Sequence, residues 1–358
     1  MLITNIDELR LIYPNHALDS IDGMIGFIDN SEHGFLEDKL GTPLYEALCK
    51  WYDENPPNSR RSNATAQTGY WNRLLLMAQR CVGFDALGRS AGMQVVSVNN
   101  SGINMGIADD YPRADEKAVE TYRKTAFSEA MKSCDLMLAE LEKWTTALTK
   151  EEQPDEDMGQ IVGLWRKSRY FYLAASMLIP SAVVLQQYID FSESREKFIR
   201  MLPDLRFIQE EVVANAIGEE YLSHLIDVSL AQAGDAQPIT AKSPLELRII
   251  HQLRRVMVAW LGSRTSVLKY TKEEKIMFHD DGVRKMQDVS QFIRQHQADL
   301  LELYSDKTEA LEALKASPLY EESKQESEDA VPDARKPCCK SIKEEQDSSA
   351  ACWTPPLL

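Results

Sequence analysis

Residues 24–48, MIGFIDNSEHGFLEDKLGTPLYEAL, have a weak echo in residues 201–225, MLPDLRFIQEEVVANAIGEEYLSHL. Met24 falls on Met201, Phe35 on Val212, Leu40 on Ile217, Gly41 on Gly218, Leu44 on Tyr221, Tyr45 on Leu222 and Leu48 on Leu225. The correspondence continues downstream, with Leu75 on Ile249, Leu76 on Ile250, Val82 on Val256, Leu87 on Leu261 and Gly88 on Gly262. Each stretch is then followed by a β-prone segment, VVSVNNSGINMGI (95–107) or VLKYTKEEKIMFH (267–279), and by a closing helix. A fixed order of elements with apolar positions in step is what duplication of one folding unit leaves behind. The expected fold is therefore mainly α: two tandem pseudo-repeat helical units, each with a short β-hairpin, followed by a disordered C-terminal tail.

Periodicity within the copies points the same way. Over residues 18–40, Ile21, Met24, Ile25, Ile28, Phe35, Leu36 and Leu40 recur at three and four with one polar turn between them, as an amphipathic helix requires. Gly41 is a helix stop, after which Thr42 is predicted to cap the next helix, with Pro43 in its first turn. The second copy keeps the glycine as Gly218 but has Glu219 in place of the cap. Asn5 or Asp7 is predicted to cap a short helix over DELRLIY that ends at Pro14. A long helix over 114–148 carries Val119, Tyr122, Ala126, Ala130, Cys134, Met137, Leu138 and Leu141 on one stripe. Residues 53–68, rich in Pro, Asn, Ser and Thr, form a loop.

These signals divide the chain into a first helical unit over 1–150, an acidic linker over 151–160 containing Pro154, a second helical unit over 161–316 and a tail over 317–358. The second unit opens with a helical preface over 164–176 and 181–188, and the tail is polar with no periodic apolar face.

Composition narrows the function classes. A hydrophobic fraction of 44% and a charged fraction of 27% describe a globular protein, and 358 residues suffice for two ordinary domains. A formal net charge of −16 argues against a protein that grips phosphate, so no specific nucleic-acid recognition is expected. No secretory signal opens the chain, and the longest apolar stretch, residues 170–185, is short for a bilayer span and interrupted by Pro180. It suits a buried helix pair broken at the proline; the expected setting is the cytoplasm, with no membrane partner. Cys49, Cys81 and Cys134 sit singly at buried helix positions, which fits a reducing compartment.

No phosphate-binding loop, dinucleotide fingerprint, paired-histidine metal motif or nucleophile elbow is present. The cluster His279, Asp280 and Asp281 has metal-ligand chemistry, but an aspartate capping a helix from about Val283 is the simpler expectation. Cys338, Cys339 and Cys352 lack the paired spacing of a zinc site. Glu210, Glu211, Glu219 and Glu220 suit a solvated face better than acid and base work. Trp71, Trp165 and Trp260 are predicted to pack the core or anchor a partner, and Arg166, Arg169, Arg254 and Arg255 to make polar contacts. No constellation commits a mechanism, so the chain is expected not to be an enzyme and to hold no cofactor or metal.

The sentence FSESREKFIRMLPDLRFIQEEVVANAIGEEYLSHL (191–225), together with the repeated glycine pattern, resembles an uncharacterised family encoded in Bacteroidetes genomes and in their prophages and phages. Phe191, Ser194, Arg195, Phe198, Leu202, Pro203, Glu210, Ile217 and Gly218 carry the resemblance. Gly41, Gly218, Gly88, Gly262, Arg195, Phe198 and Pro203 stand out as structural motif residues, not as active-site ones. The resemblance implies a phage or prophage virion assembly protein, similar to the head–tail connector or adaptor proteins that sit below a portal ring. Its implied partners are the portal or neighbouring ring and tail proteins, with further copies of itself. Its implied location is the host cytoplasm and then the virion. A cytoplasmic helical scaffold or protein-binding module of non-viral origin is the alternative.

Overall fold

Two long antiparallel helix pairs dominate the chain, one in each half. The computed structural model describes residues 1–13, 20–57, 69–94, 96–99, 102–105, 115–148, 155–173, 176–234 and 244–320. Asn5 caps α1 (Ile6–Ile12) by accepting from the Glu8 amide. A 3₁₀ turn, Asp22–Met24, leads into α2, a helix over residues 25–40 with a π-helical turn, Glu32–Leu36, inside it. Next come α3 (Thr42–Glu54), α4 (Tyr70–Gln94) and α5 (Glu116–Leu148). Between α4 and α5, β1 (Val96–Asn99) pairs antiparallel with β2 (Gly102–Met105). Then follow α6 (Glu156–Arg166) and α7 (Ala182–Gln186). Helix α8 runs over residues 195–217 with a π-helical turn, Gln209–Ala214. The remaining helices are α9 (Glu219–Gly234), α10 (Pro244–Arg264), α11 (Lys272–Gln295), α12 (Gln297–Tyr304) and α13 (Thr308–Ala316).

The paired helices are α4 with α5 and α10 with α11. A small residue allows close approach in each. A Cβ on Gly88 would meet the Phe127 ring at 2.9 Å, and one on Gly262 the Phe278 ring at 2.8 Å. Leu76 was set against Ile250 by sequence, yet it is 48% exposed whereas Ile250 is buried. Burial instead pairs Leu74 and Leu75 with Ile249 and Ile250, one residue out of step with the sequence pairing.

Several expectations are corrected. The second β-prone stretch forms no strand: Thr271 closes a capping box with Glu274, and the helix runs from Lys272. Asp280 and Asp281 therefore lie inside α11 and cap nothing. Thr42 is the first residue of α3 and not its cap, a position taken by Gly41; the Thr42 hydroxyl donates to Glu37 at 2.6 Å.

The presumed linker over 151–160 is helical from Glu156, because Asp155 accepts from the amides of Asp157 and Met158. Helix α6 then buries Met158, Ile161, Val162 and Trp165 against α3, α4 and α5, each worth about 1.5–3 kcal/mol of apolar transfer. It belongs with the first half. The helical preface over 164–176 ends at Arg166, and Met177, Leu178 and Ile179 are buried in non-helical chain before Ser181 caps α7. The apolar stretch 170–185 is thus not a helix pair. Among the described residues no helix is long and apolar enough to cross a membrane. Ordered packing also passes residue 317, since Leu319 is buried; residues 321–358 and most of the 53–68 loop lie outside the described residues.

Candidate interaction site

The π-helical turns decide where the buried polar groups point. An extra residue per turn shifts the helix face, so a polar side chain enters the core where α-periodicity would place it outside. In α2 that side chain is Glu32. Its Oε1 accepts from the Leu2 amide at 2.6 Å and its Oε2 from the Tyr45 hydroxyl at 2.8 Å. In α8 it is Gln209, whose Oε1 accepts from the Leu178 amide at 2.9 Å while Nε2 donates to the Ser176 carbonyl at 2.8 Å. The carbonyl of each of these two leucines is held from the long helix. Gln79 Nε2 donates to the Leu2 carbonyl at 2.7 Å, and Arg254 Nε to the Leu178 carbonyl at 2.7 Å.

Each π-containing helix ends on a glycine in a conformation that glycine alone adopts readily: Gly41 at φ 82, ψ 148 and Gly218 at φ 88, ψ 143. Against each lies a serine that follows a short helix. Ser168, after α6, places its Oγ 1.9 Å from where a Gly41 Cβ would stand. Ser317, after α13, has its Cα 3.3 Å from a Gly218 Cβ. Neither serine was singled out by sequence.

The halves meet where α8 begins beside α5. Ser192 and Glu193 hold left-handed backbone at φ 64 and φ 49, turning the chain so that Arg195 faces α5. Its guanidinium donates to Glu142 at 3.1 and 3.4 Å, and its amide donates to Asp135 at 2.9 Å. The Tyr172 hydroxyl donates to the same Glu142 at 2.6 Å. The Arg195 and Glu142 side chains are only 9% and 12% exposed, so this is a buried ion pair. Burial raises the Asp135 carboxyl above the ordinary range, against the hydrogen bond from the Arg195 amide. Phe198 is fully buried behind it, and Pro203 lies inside α8 on an exposed position.

Two open clefts flank α11. One, of about 650 Å³, is lined by Val212, Trp260, Val283, Met286, Ser290 and Arg294, among others. Trp260 Nε1 is buried there without a hydrogen-bond partner among the described residues. The other, of about 730 Å³, includes Tyr188, His251, Arg255, Tyr270, Phe278 and Lys285. Tyr188 bonds the His251 ring at 2.5 Å, and burial, then Arg254 and Arg255, lower the His251 pKa.

The other sequence candidates are scattered. His279 packs edge-on against Trp260, Asp281 pairs with Lys285 and Arg284, and Glu210, Glu211, Glu219 and Glu220 are exposed. Trp71 and Trp165 are core residues, and Arg169 bonds its neighbour Tyr170. Cys49, Cys81 and Cys134 are free thiols; Cys81 and Cys134 are buried and face each other across α4 and α5, whereas Cys49, expected to be buried, is half-buried. Cys338, Cys339 and Cys352 lie outside the described residues. Among the described residues no three His, Cys, Asp or Glu side chains gather as a metal site.

Buried phenols give a pH test. Tyr45, Tyr172, Tyr221 and Tyr304 are all pushed above the ordinary tyrosine value, first by burial. Glu32 adds to this at Tyr45 and Glu142 at Tyr172. A pKa raised in the folded state contributes stability below the unfolded value, about pH 10, and loses it as pH rises further. Denaturant midpoints should therefore fall steeply above about pH 10, faster than in a Tyr172→Phe variant. A flat midpoint from pH 9 to pH 11 would show that these phenols do not hold the core. No family model matches the chain, and no curated protein or solved structure matches it either.

Proposed function

We propose that this protein is a virion assembly part, a head–tail connector or adaptor component of a phage or prophage, built from two copies of one helical unit and acting through protein contacts. The single observation that supports the two-copy architecture is the pairing of π-turn, glycine and serine in each half: Glu32, Gly41 and Ser168 against Gln209, Gly218 and Ser317. Matching Leu2 with Leu178 and Gln79 with Arg254 supports the same duplication. On this basis the boundary between the units falls after Ser168 and before Leu178, and not at 150, since α6 leads to the serine of the first.

A chain of two like units carries different faces at its two ends. Such faces join heterologously, the kind of contact from which rings are made. The buried polar groups support an architectural role, because Glu32, Gln209, Gln79, Arg254 and Arg195 are each spent on holding backbone or joining halves. The phage assignment itself rests on the sequence resemblance. Electron microscopy and light scattering of the purified protein, alone and mixed with its portal, test it. Ring particles or a portal-bound collar are expected; a protein that stays monomeric and never engages a portal overturns it.

A further inference from the structure

At one place the first helix pair is plugged by aromatic rings and the second is open. Leu2 with Leu178, and the capping residues Asn5 with Ser181, set α1 on α7 at one constant spacing. Gln79 with Arg254, the exposed Leu76 with His251 and the exposed Arg80 with Arg255 set α4 on α10 at another. At these spacings Tyr13 falls on Ile189 and Phe84 on Ala259. In the first half Tyr13 leaves α1 in extended backbone and sets its ring edge-on to Phe84 and Tyr122, with centroids 6.5 and 6.2 Å apart. In the second half neither Ile189 nor Ala259 brings a ring, and both line the open 730 Å³ cleft. Phe278, packed on Gly262, and Tyr270 give that cleft an aromatic wall, their rings 4.6 Å apart.

Charge narrows the occupant. Of the cleft's polar side chains, Lys285 is held by Asp281 and His251 by Tyr188. Arg255 is exposed and makes no ion pair among the described residues, so it is the cation left over. We infer that the cleft takes a chain segment of a partner protein that presents an aromatic side chain beside an aspartate or glutamate. The ring fills the place held by Tyr13 and Phe84 in the first half, and the carboxylate meets Arg255. A segment of chain is the occupant because an extended stretch of chain already supplies the ring in the first half. The cleft is of a size to enclose such a side chain, and an aromatic anchor next to an arginine is a pattern that carries binding energy at protein interfaces. The comparison between halves rests on the two-copy reading; the open cleft and its unmatched arginine do not.

Fluorine NMR titrations of the full-length chain test this with the blocked dipeptide N-acetyl-4-fluorophenylalanyl-glutamyl amide, its glutaminyl analogue and 4-fluorophenylacetate. The parent should bind the glutamyl probe about tenfold tighter than the glutaminyl one. In Arg255→Gln the two probes should bind alike, at the glutaminyl level. Ala259→Phe, which restores the ring of the first half, should weaken both by about tenfold or more. Arg255 is on the surface, so Arg255→Gln should unfold thermally with the parent and keeps the test decisive if Ala259→Phe does not fold. A glutamyl probe that fails to bind the parent, a preference that survives Arg255→Gln, or a folded Ala259→Phe that binds as the parent does overturns the inference. Binding of 4-fluorophenylacetate with both dipeptides shut out overturns it too, marking a site for a small free acid. None of these outcomes touches the ring-component reading, which stands or falls on the portal mixture.

Discussion

Gly41→Ala is expected to lower unfolding free energy by about 4 kcal/mol, from left-handed strain together with overpacking. At φ 82, ψ 148 the backbone lies outside what an L side chain adopts, and the new methyl would stand 1.9 Å from Ser168 Oγ. Gly218→Ala shares the strain at φ 88, but its nearest neighbour, Ser317 Cα, is 3.3 Å away, so a loss of about 2 kcal/mol is expected. Adding Ser168→Gly to Gly41→Ala should recover the overpacking part and leave the strain. Urea midpoints of the four proteins measure this. Equal losses at the two glycines would mean that the serine contact carries no weight.

Arg195→Met should destabilise the chain by about 3 kcal/mol, because it leaves Glu142 buried without its cation. The double change Arg195→Met with Glu142→Leu removes both charges and should cost less than either single change. The Tyr172 hydroxyl, which donates to Glu142, is orphaned in the double variant and keeps it from full recovery. Calorimetry reads both effects. In Arg195→Met the two halves should also melt less cooperatively, since this pair ties α8 to α5. A double variant worse than both singles would show that the ion pair stabilises in its own right.

What could be read from sequence follows from which forces leave a periodic trace. The apolar stripes of α2 and α5 were legible because burial repeats with the helix, and Gly41 and Gly218 stood out because glycine at the end of such a stripe has few other uses. The π-turns were not legible as such. Their trace was a polar break between Ile28 and Phe35, and a five-residue step from Ile208 to Val213, where Glu32 and Gln209 turn inward. The acidic segment before α6 was misjudged because Asp155, Glu156 and Asp157 look like linker residues, yet acids are what a helix first turn favours. Ser168, Ser317 and Glu142 left no local signal at all, and Arg195 stood out without its partner. They act across long stretches of chain, and only the fold brings them together.

The seating of Ser168 against Gly41 also sets an order of events during synthesis. The bend at Gly41 emerges early, but the side chain that closes over it emerges only after the long α4–α5 pair and α6. A nascent chain ending at residue 150 would hold the helix pair without its closing piece, with the surface destined for Trp165 exposed to solvent and to chaperones. Completion of the first half thus waits for the same stretch of chain that leads into the second, and the two become coupled in time before Arg195 couples them in space.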